Sequence, residues 1–147
     1  MVKFFSAEEE AQIVAAIRRA ELNTSGEIRV HVEVGAEAGA LSVAKYIFQE
    51  LGMHKTRDRN GVLILLEVDR REFAIIGDEG IDKVVPKNFW DEERDLMRGY
   101  FQKRQFTEGI VAAIDQIGEK LIAFFPYLCE DENELPDSIS YGGKPSA

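Results

Sequence analysis

Residues 57–82 read RDRNGVLILLEVDRREFAIIGDEGID. The run from Gly61 to Val68 is almost wholly apolar, which predicts a central strand covered on both faces. Asp69 and Arg70 turn the chain, and Glu72 to Ile76 brings it back as a second strand before Gly77-Asp78-Glu79-Gly80 ends it. That pattern predicts an antiparallel hairpin. Its open end is flanked by Asp58 on one side and Asp78 on the other. They are either ordinary turn residues or two members of a site.

Upstream, MHKTRDRN (53–60) is a polar connection. Residues 40–52 show helical spacing through Leu41, Ala44, Phe48 and Leu51, and Gly52 suits a helix C-terminus. Before them GEIRVHVEV (26–34) alternates strictly, with Ile28, Val30, Val32 and Val34 on one face and Glu27, Arg29, His31 and Glu33 on the other. A strand with one buried face is expected, and His31 reads as a half-exposed cross-strand residue. Ser6-Ala7-Glu8-Glu9 fits a capping box that opens a first helix running to about Leu22, and Asn23-Thr24-Ser25-Gly26 breaks it.

Downstream, a short helical piece near 81–85 stops at Pro86. A longer helix spans about 88–102, with Trp90 read as core, and a last one runs from near Thr107 to Pro126. The folded domain is expected over residues 1–127. Residues 128–147 are acidic and rich in turn formers, so they are expected as a flexible tail with Leu135 or Ile139 as its anchor. The order is helix, strand, helix, strand, strand, helices. The strand-helix-strand segment implies a parallel pair with a right-handed crossover, to which the third strand adds antiparallel. The expected class is α/β, a three-layer α/β/α sandwich around a small mixed sheet.

A chain of 147 residues has room for one sizeable core. Lys and Arg total 18 against 27 Asp and Glu, giving a net charge of -9. Such a chain repels phosphate backbones and anionic lipid, so nucleic acid and membrane surfaces are not expected partners. Cys129 is the only cysteine, which rules out an internal disulfide and any Cys-based zinc motif. The opening MVKFFSAEEEAQ does not read as a secretory signal, and no apolar run approaches the ~18 residues of a spanning helix. A cytoplasmic location is expected.

Topology bears on the question of Asp58 and Asp78. Parallel first and second strands begin at the same edge of the sheet, and the returning third strand finishes there. That edge therefore collects Thr24-Ser25-Gly26-Glu27, Arg57-Asp58-Arg59-Asn60-Gly61 and Gly77-Asp78-Glu79-Gly80. Hard cations such as Ca²⁺ and Mg²⁺ take carboxylate, amide and backbone oxygens. The candidate ligands are Asp58, Asp78 and Glu79, with Asn60 and Glu27 beside them. The competing reading is that Asx and glycine residues crowd into turns for conformational reasons alone.

The motifs also resemble a known family. Thr24-Ser25-Gly26-Glu27-Ile28, Asn60-Gly61-Val62-Leu63-Ile64, Ala74-Ile75-Ile76-Gly77-Asp78-Glu79-Gly80-Ile81 and Phe106-Thr107-Glu108-Gly109-Ile110 occur in the order and spacing of the TPM domain. Phe89-Trp90 and Asn133-Glu134-Leu135 are similar to its soluble bacterial members. The resemblance implies an α/β/α sandwich with a divalent-cation site built from loops at one sheet edge. The family also carries a phosphatase label.

A metal-dependent phosphatase needs a cation on the phosphate oxygens and an activated nucleophile. Arg57 or Arg59 could pair with phosphate, but neither Thr24 nor Ser25 has an identifiable base, so no catalytic residue is assigned. The expectation is a Ca²⁺- or Mg²⁺-binding accessory module that presents a surface to a protein partner. The alternatives are a weak metal-dependent phosphomonoesterase at the same edge and a structural domain without metal. Asp78→Asn is expected to weaken cation binding and leave the fold intact.

Overall fold

The computed structural model describes residues 4–127 and 135–143. Its order is α1 (Ala7–Glu21), β1 (Glu27–Val34), α2 (Ala40–Glu50), a 3-10 turn (Met53–Lys55), β2 (Gly61–Glu67), β3 (Glu72–Gly77), α3 (Glu79–Asp82), α4 (Asp91–Gln102), α5 (Phe106–Phe124) and β4 (Ser140–Gly143). Ser6 opens α1 as expected: its side chain accepts from the Glu9 amide while the Glu9 carboxylate accepts from the Ser6 amide. Among the described residues no helix is long and apolar enough to cross a membrane.

The sheet order is β3-β2-β1-β4. β1 and β2 are parallel and β3 returns antiparallel beside β2, as the patterning predicts. Alternate strand residues then serve two cores. Ile28, Val30, Val32, Val62, Ile64, Leu66 and Ile75 pack against α1, α4 and α5. Leu63, Leu65 and Ala74 pack against Ala40, Ala44 and Phe48 of α2 on the opposite face. Helices thus cover both faces, and the molecule is an α/β/α sandwich.

Two expectations are corrected. Residues 135–143, expected as part of a flexible tail, are packed: Leu135 and Ile139, the anchors expected, are both buried, and β4 pairs in parallel with β1 along His31–Val34. Cys129 and the run Glu130–Glu134 lie outside the described residues. The second correction concerns the polar face of β1, where Glu27 and His31 are each only 3% exposed. Both are buried because the C-terminal segment lies over them with hydrogen-bonding partners. The Leu135 amide donates to Glu27 Oε1 at 2.6 Å, and Ser140 Oγ lies 2.8 Å from His31 Nδ1.

The segment has further ties. Tyr141 donates its hydroxyl to Glu10 Oε2 at 2.8 Å, and Arg18 Nε lies 3.5 Å from Asp137 Oδ2. Close packing explains the glycine pair in SYGG. A Cβ on Gly142 would stand 2.6 Å from Glu33 Oε1 and 3.1 Å from His31 Nε2, and Gly143 takes φ +99°. Large side chains are excluded where β4 seats on β1.

Candidate functional site

The three loops meet as the topology requires. Glu27 sits opposite Gly61 in the parallel pair and Val62 opposite Gly77 in the hairpin, so residues 24–27, 57–61 and 77–80 occupy one edge. Gly80 makes the contact between two of the loops close. Its amide donates to the Arg59 carbonyl at 2.9 Å, and a Cβ there would fall 2.2 Å from the Asp58 carbonyl oxygen. Gly77 is confined in a similar way by Trp90, which is core and would meet a Cβ at 2.8 Å. The third loop is fixed from α5: the Thr24 hydroxyl donates to the Phe125 carbonyl, and the Ser25 amide donates to that oxygen at 2.9 Å.

The side chains are arranged differently from a ready cation cage. Asp78, 6% exposed, accepts a two-point fork from Arg59, Nε to Oδ2 at 2.8 Å and Nη2 to Oδ1 at 3.0 Å. Arg59 Nη1 also donates to Glu79 Oε1 at 3.0 Å. These bonds, above all those with Asp78, raise the guanidinium's pKa from its usual value. Arg59 reaches this position from a left-handed backbone, φ 51°.

Asp78 Oδ1 further accepts from the Glu79 amide at 2.7 Å, so the residue is the N-cap of α3. The helical piece expected at 81–85 therefore starts earlier, at Glu79. Asp78→Asn is accordingly not neutral to the fold: it removes half of a charged fork at a buried cap.

The other candidates take separate roles. Asp58 is 43% exposed and lies 3.5 Å from Arg57, its neighbour in sequence. Asn60 is buried and donates through Nδ2 to Ser25 Oγ at 3.3 Å. Glu27 is turned into the protein toward the Leu135 amide. Asp82, not singled out from sequence, is a further carboxyl near the edge, and burial first, then Asp78, raises its pKa. Asp91, in the first turn of α4, accepts from Arg94 at 3.0 Å.

Among the described residues no three His, Cys, Asp or Glu side chains converge closely enough to hold a metal. The donor set fits a hard cation in kind, all oxygen. The guanidinium of Arg59 stands in as the positive charge, so a metal could enter only if Arg59 turns away.

Sequence reasoning missed a relay farther along β1. His31 Nε2 lies 2.7 Å from Glu33 Oε1, and Nδ1 faces Ser140. Burial, working against Glu33, lowers the imidazole pKa. The neutral ring then donates from Nε2 to Glu33 and accepts at Nδ1 from the Ser140 hydroxyl. The order serine, histidine, carboxylate is that of a nucleophile relay, yet all three belong to adjoining strands and Ser140 Oγ also lies 3.4 Å from the Val30 carbonyl. It fastens β4 to β1. Only the alternation that placed His31 and Glu33 on one face hinted at it.

The profile of the TPM domain matches residues 1–120. No curated protein matches the chain. Among solved structures, the chain is similar to the BA42 protein of the psychrophilic bacterium Bizionia argentinensis, at 44% identity and TM-score 0.90, over 97% of this chain and 98% of that one. It shares a fold with the N-terminal domain of a P. gingivalis protein, at 18% identity and TM-score 0.67, covering 82% and 78% of the two chains. The N-terminal domain of the cg2496 protein of Corynebacterium glutamicum has the same fold, at 13% identity and TM-score 0.63, covering 97% and 82%. With the profile spanning most of its length and the strand ends meeting as described, the chain belongs to the TPM domain family.

Proposed function

We propose that this chain is a binding or accessory module whose working surface is the loop edge, where a divalent cation, Ca²⁺ or Mg²⁺, binds in exchange for the Arg59 guanidinium. The observation that carries this reading is the Arg59 fork on Asp78 and Glu79, two carboxylates from one loop turned toward a single positive charge. Asp78 and Glu79 would hold the ion, with Asp58 and the Asn60 side-chain oxygen completing the set and Glu27 behind them. A bound ion ties the 57–61 and 77–80 loops together and so orders the edge that a protein partner meets.

A metal-assisted phosphomonoesterase at the same edge has less support. The Thr24 hydroxyl is spent on the Phe125 carbonyl and the Ser25 hydroxyl faces the Asn60 amide, so neither is placed against a base. A structural domain without metal is the reading the experiment must defeat.

The test is a calcium and a magnesium titration followed by amide NMR shifts. Saturable shifts confined to residues 24–27, 57–61 and 77–80, lost in Asp78→Asn, are the expected result. Shifts confined to residues 128–134, or no saturation, would reject the assignment.

A further inference from the structure

A cavity of about 650 Å³ lies at the opposite end of the sheet, where β2 leaves and β3 begins. Its apolar wall is a chain of aromatic rings. Phe4 stacks edge-on with Phe106 at 5.5 Å, Phe106 touches Phe101 at 5.2 Å, and Phe101 meets Phe73 at 5.3 Å. All four rings are partly exposed and pack against the main core, so the wall is backed by the core while its inner surface is open. Such a volume is the size of a small-molecule site.

The polar lining is cationic on balance. Three arginines, Arg71, Arg98 and Arg104, line the cavity against two carboxylates, Glu67 and Glu72, which share the one guanidinium of Arg70, its Nε 3.5 Å from the first and 3.6 Å from the second. Arg98 is likewise matched by Asp95 at 2.9 Å. Arg71 and Arg104 also line the cavity, and neither makes an ion pair among the described residues. Two unmatched guanidinium groups flank one aromatic wall in a protein of net charge -9.

Both arginines hold backbones that side chains seldom adopt, φ 54° at Arg71 and φ 60° at Arg104. One is in the β2–β3 turn and the other in the α4–α5 connection, so two separate loops deliver the same group to one place. The 19-residue helix α5 starts there as well, with no side-chain cap from Gln105, and adds the positive end of its dipole.

We infer that this cavity binds a small organic acid, an aromatic or compact apolar body carrying one carboxylate or phosphate, with the body on the four phenylalanines and the head between Arg71 and Arg104. Guanidinium groups recognise such heads in two-point geometry, and a flat ring is suited to the aromatic wall. The site is separate from the loop edge and stands or falls without it.

The test uses 2-naphthoate and its neutral amide, 2-naphthamide, titrated into the full chain with amide NMR as readout. The expected result is saturable 2-naphthoate binding with shifts at Phe73, Phe101, Phe106, Arg71 and Arg104, and at least tenfold weaker binding of 2-naphthamide. Arg71→Gln/Arg104→Gln should lower 2-naphthoate affinity to that of the amide, while Arg71→Lys/Arg104→Lys retains it within threefold. The lysine pair also checks that the two backbones tolerate substitution. Equal affinity for the two probes, shifts elsewhere, or full affinity in the glutamine pair would overturn the inference.

Discussion

At the end of the sheet where β1 and β2 begin, Asp78 and Glu79 share the guanidinium of Arg59. At the end where β2 leaves and β3 begins, Arg71 and Arg104 face an aromatic cavity and have no ion-pair partner among the described residues. The first end has carboxylates and supplies its own cation; the second has carboxylates held by Arg70 and leaves two guanidinium groups without an ion pair among the described residues. Residue type alone marks the first end as the site, because acidic turns attract a metal reading. Pairing alters that ranking. A charged group already matched inside the fold must be released before it can bind anything, whereas an unmatched one is available at once.

Four variants test the contrast. Gly80→Ala should have the largest effect, since its Cβ would enter the space of the Asp58 and Arg59 carbonyls, both backbone atoms. Overpacking of this kind costs about 3 kcal/mol, to be read from denaturant midpoints. Arg59→Gln should come next, lowering the thermal midpoint, because it leaves the buried Asp78 carboxylate without its fork.

Glu21→Gln addresses the C-terminal segment that covers Glu27. Burial first, and then Asp137, push the Glu21 carboxyl up to about 9, while its Oε2 accepts from the Ile28 amide at 3.1 Å. The folded state therefore keeps a proton that the unfolded chain loses near the ordinary carboxylate value. Stability from this group is full below about 4.5 and is lost as the pH rises toward 9. Thermal midpoints measured across that range should decline in the wild type and flatten in Glu21→Gln. The smallest effect should come from Arg71→Gln/Arg104→Gln, within about 0.5 kcal/mol of the wild type in denaturant titrations, as exposed unpaired side chains contribute little.

Much of this architecture is legible in the residues. Strict alternation over 26–34, the apolar run at 61–68 and the turn at Asp69–Arg70 mark β1, β2 and β3, and parallel pairing across the helical connection followed by an antiparallel return then dictates which strand ends meet. The convergence of the three loops follows from that alone. What stays hidden depends on long-range partners. β4 is two polar-tipped residues and two glycines, with no apolar alternation to announce a strand, and it forms because His31 and β1 receive it. The burial of Glu27 depends on an amide 108 positions away. Arg59 and Asp78 are both prominent in the sequence, but only the left-handed turn at Arg59 aims one at the other. The cavity arginines look like isolated surface charges until two loops bring them together.

The exchange of Arg59 for a divalent cation is the claim on which the functional reading depends. Parallel calcium titrations of the wild type and Arg59→Gln, followed by the amide shifts of residues 57–61 and 77–80, test it directly. If the guanidinium competes with the ion, Arg59→Gln binds calcium more tightly than the wild type, at those same residues. Equal or weaker affinity in Arg59→Gln would contradict the account and leave Asp78 as a helix cap with an arginine clasp.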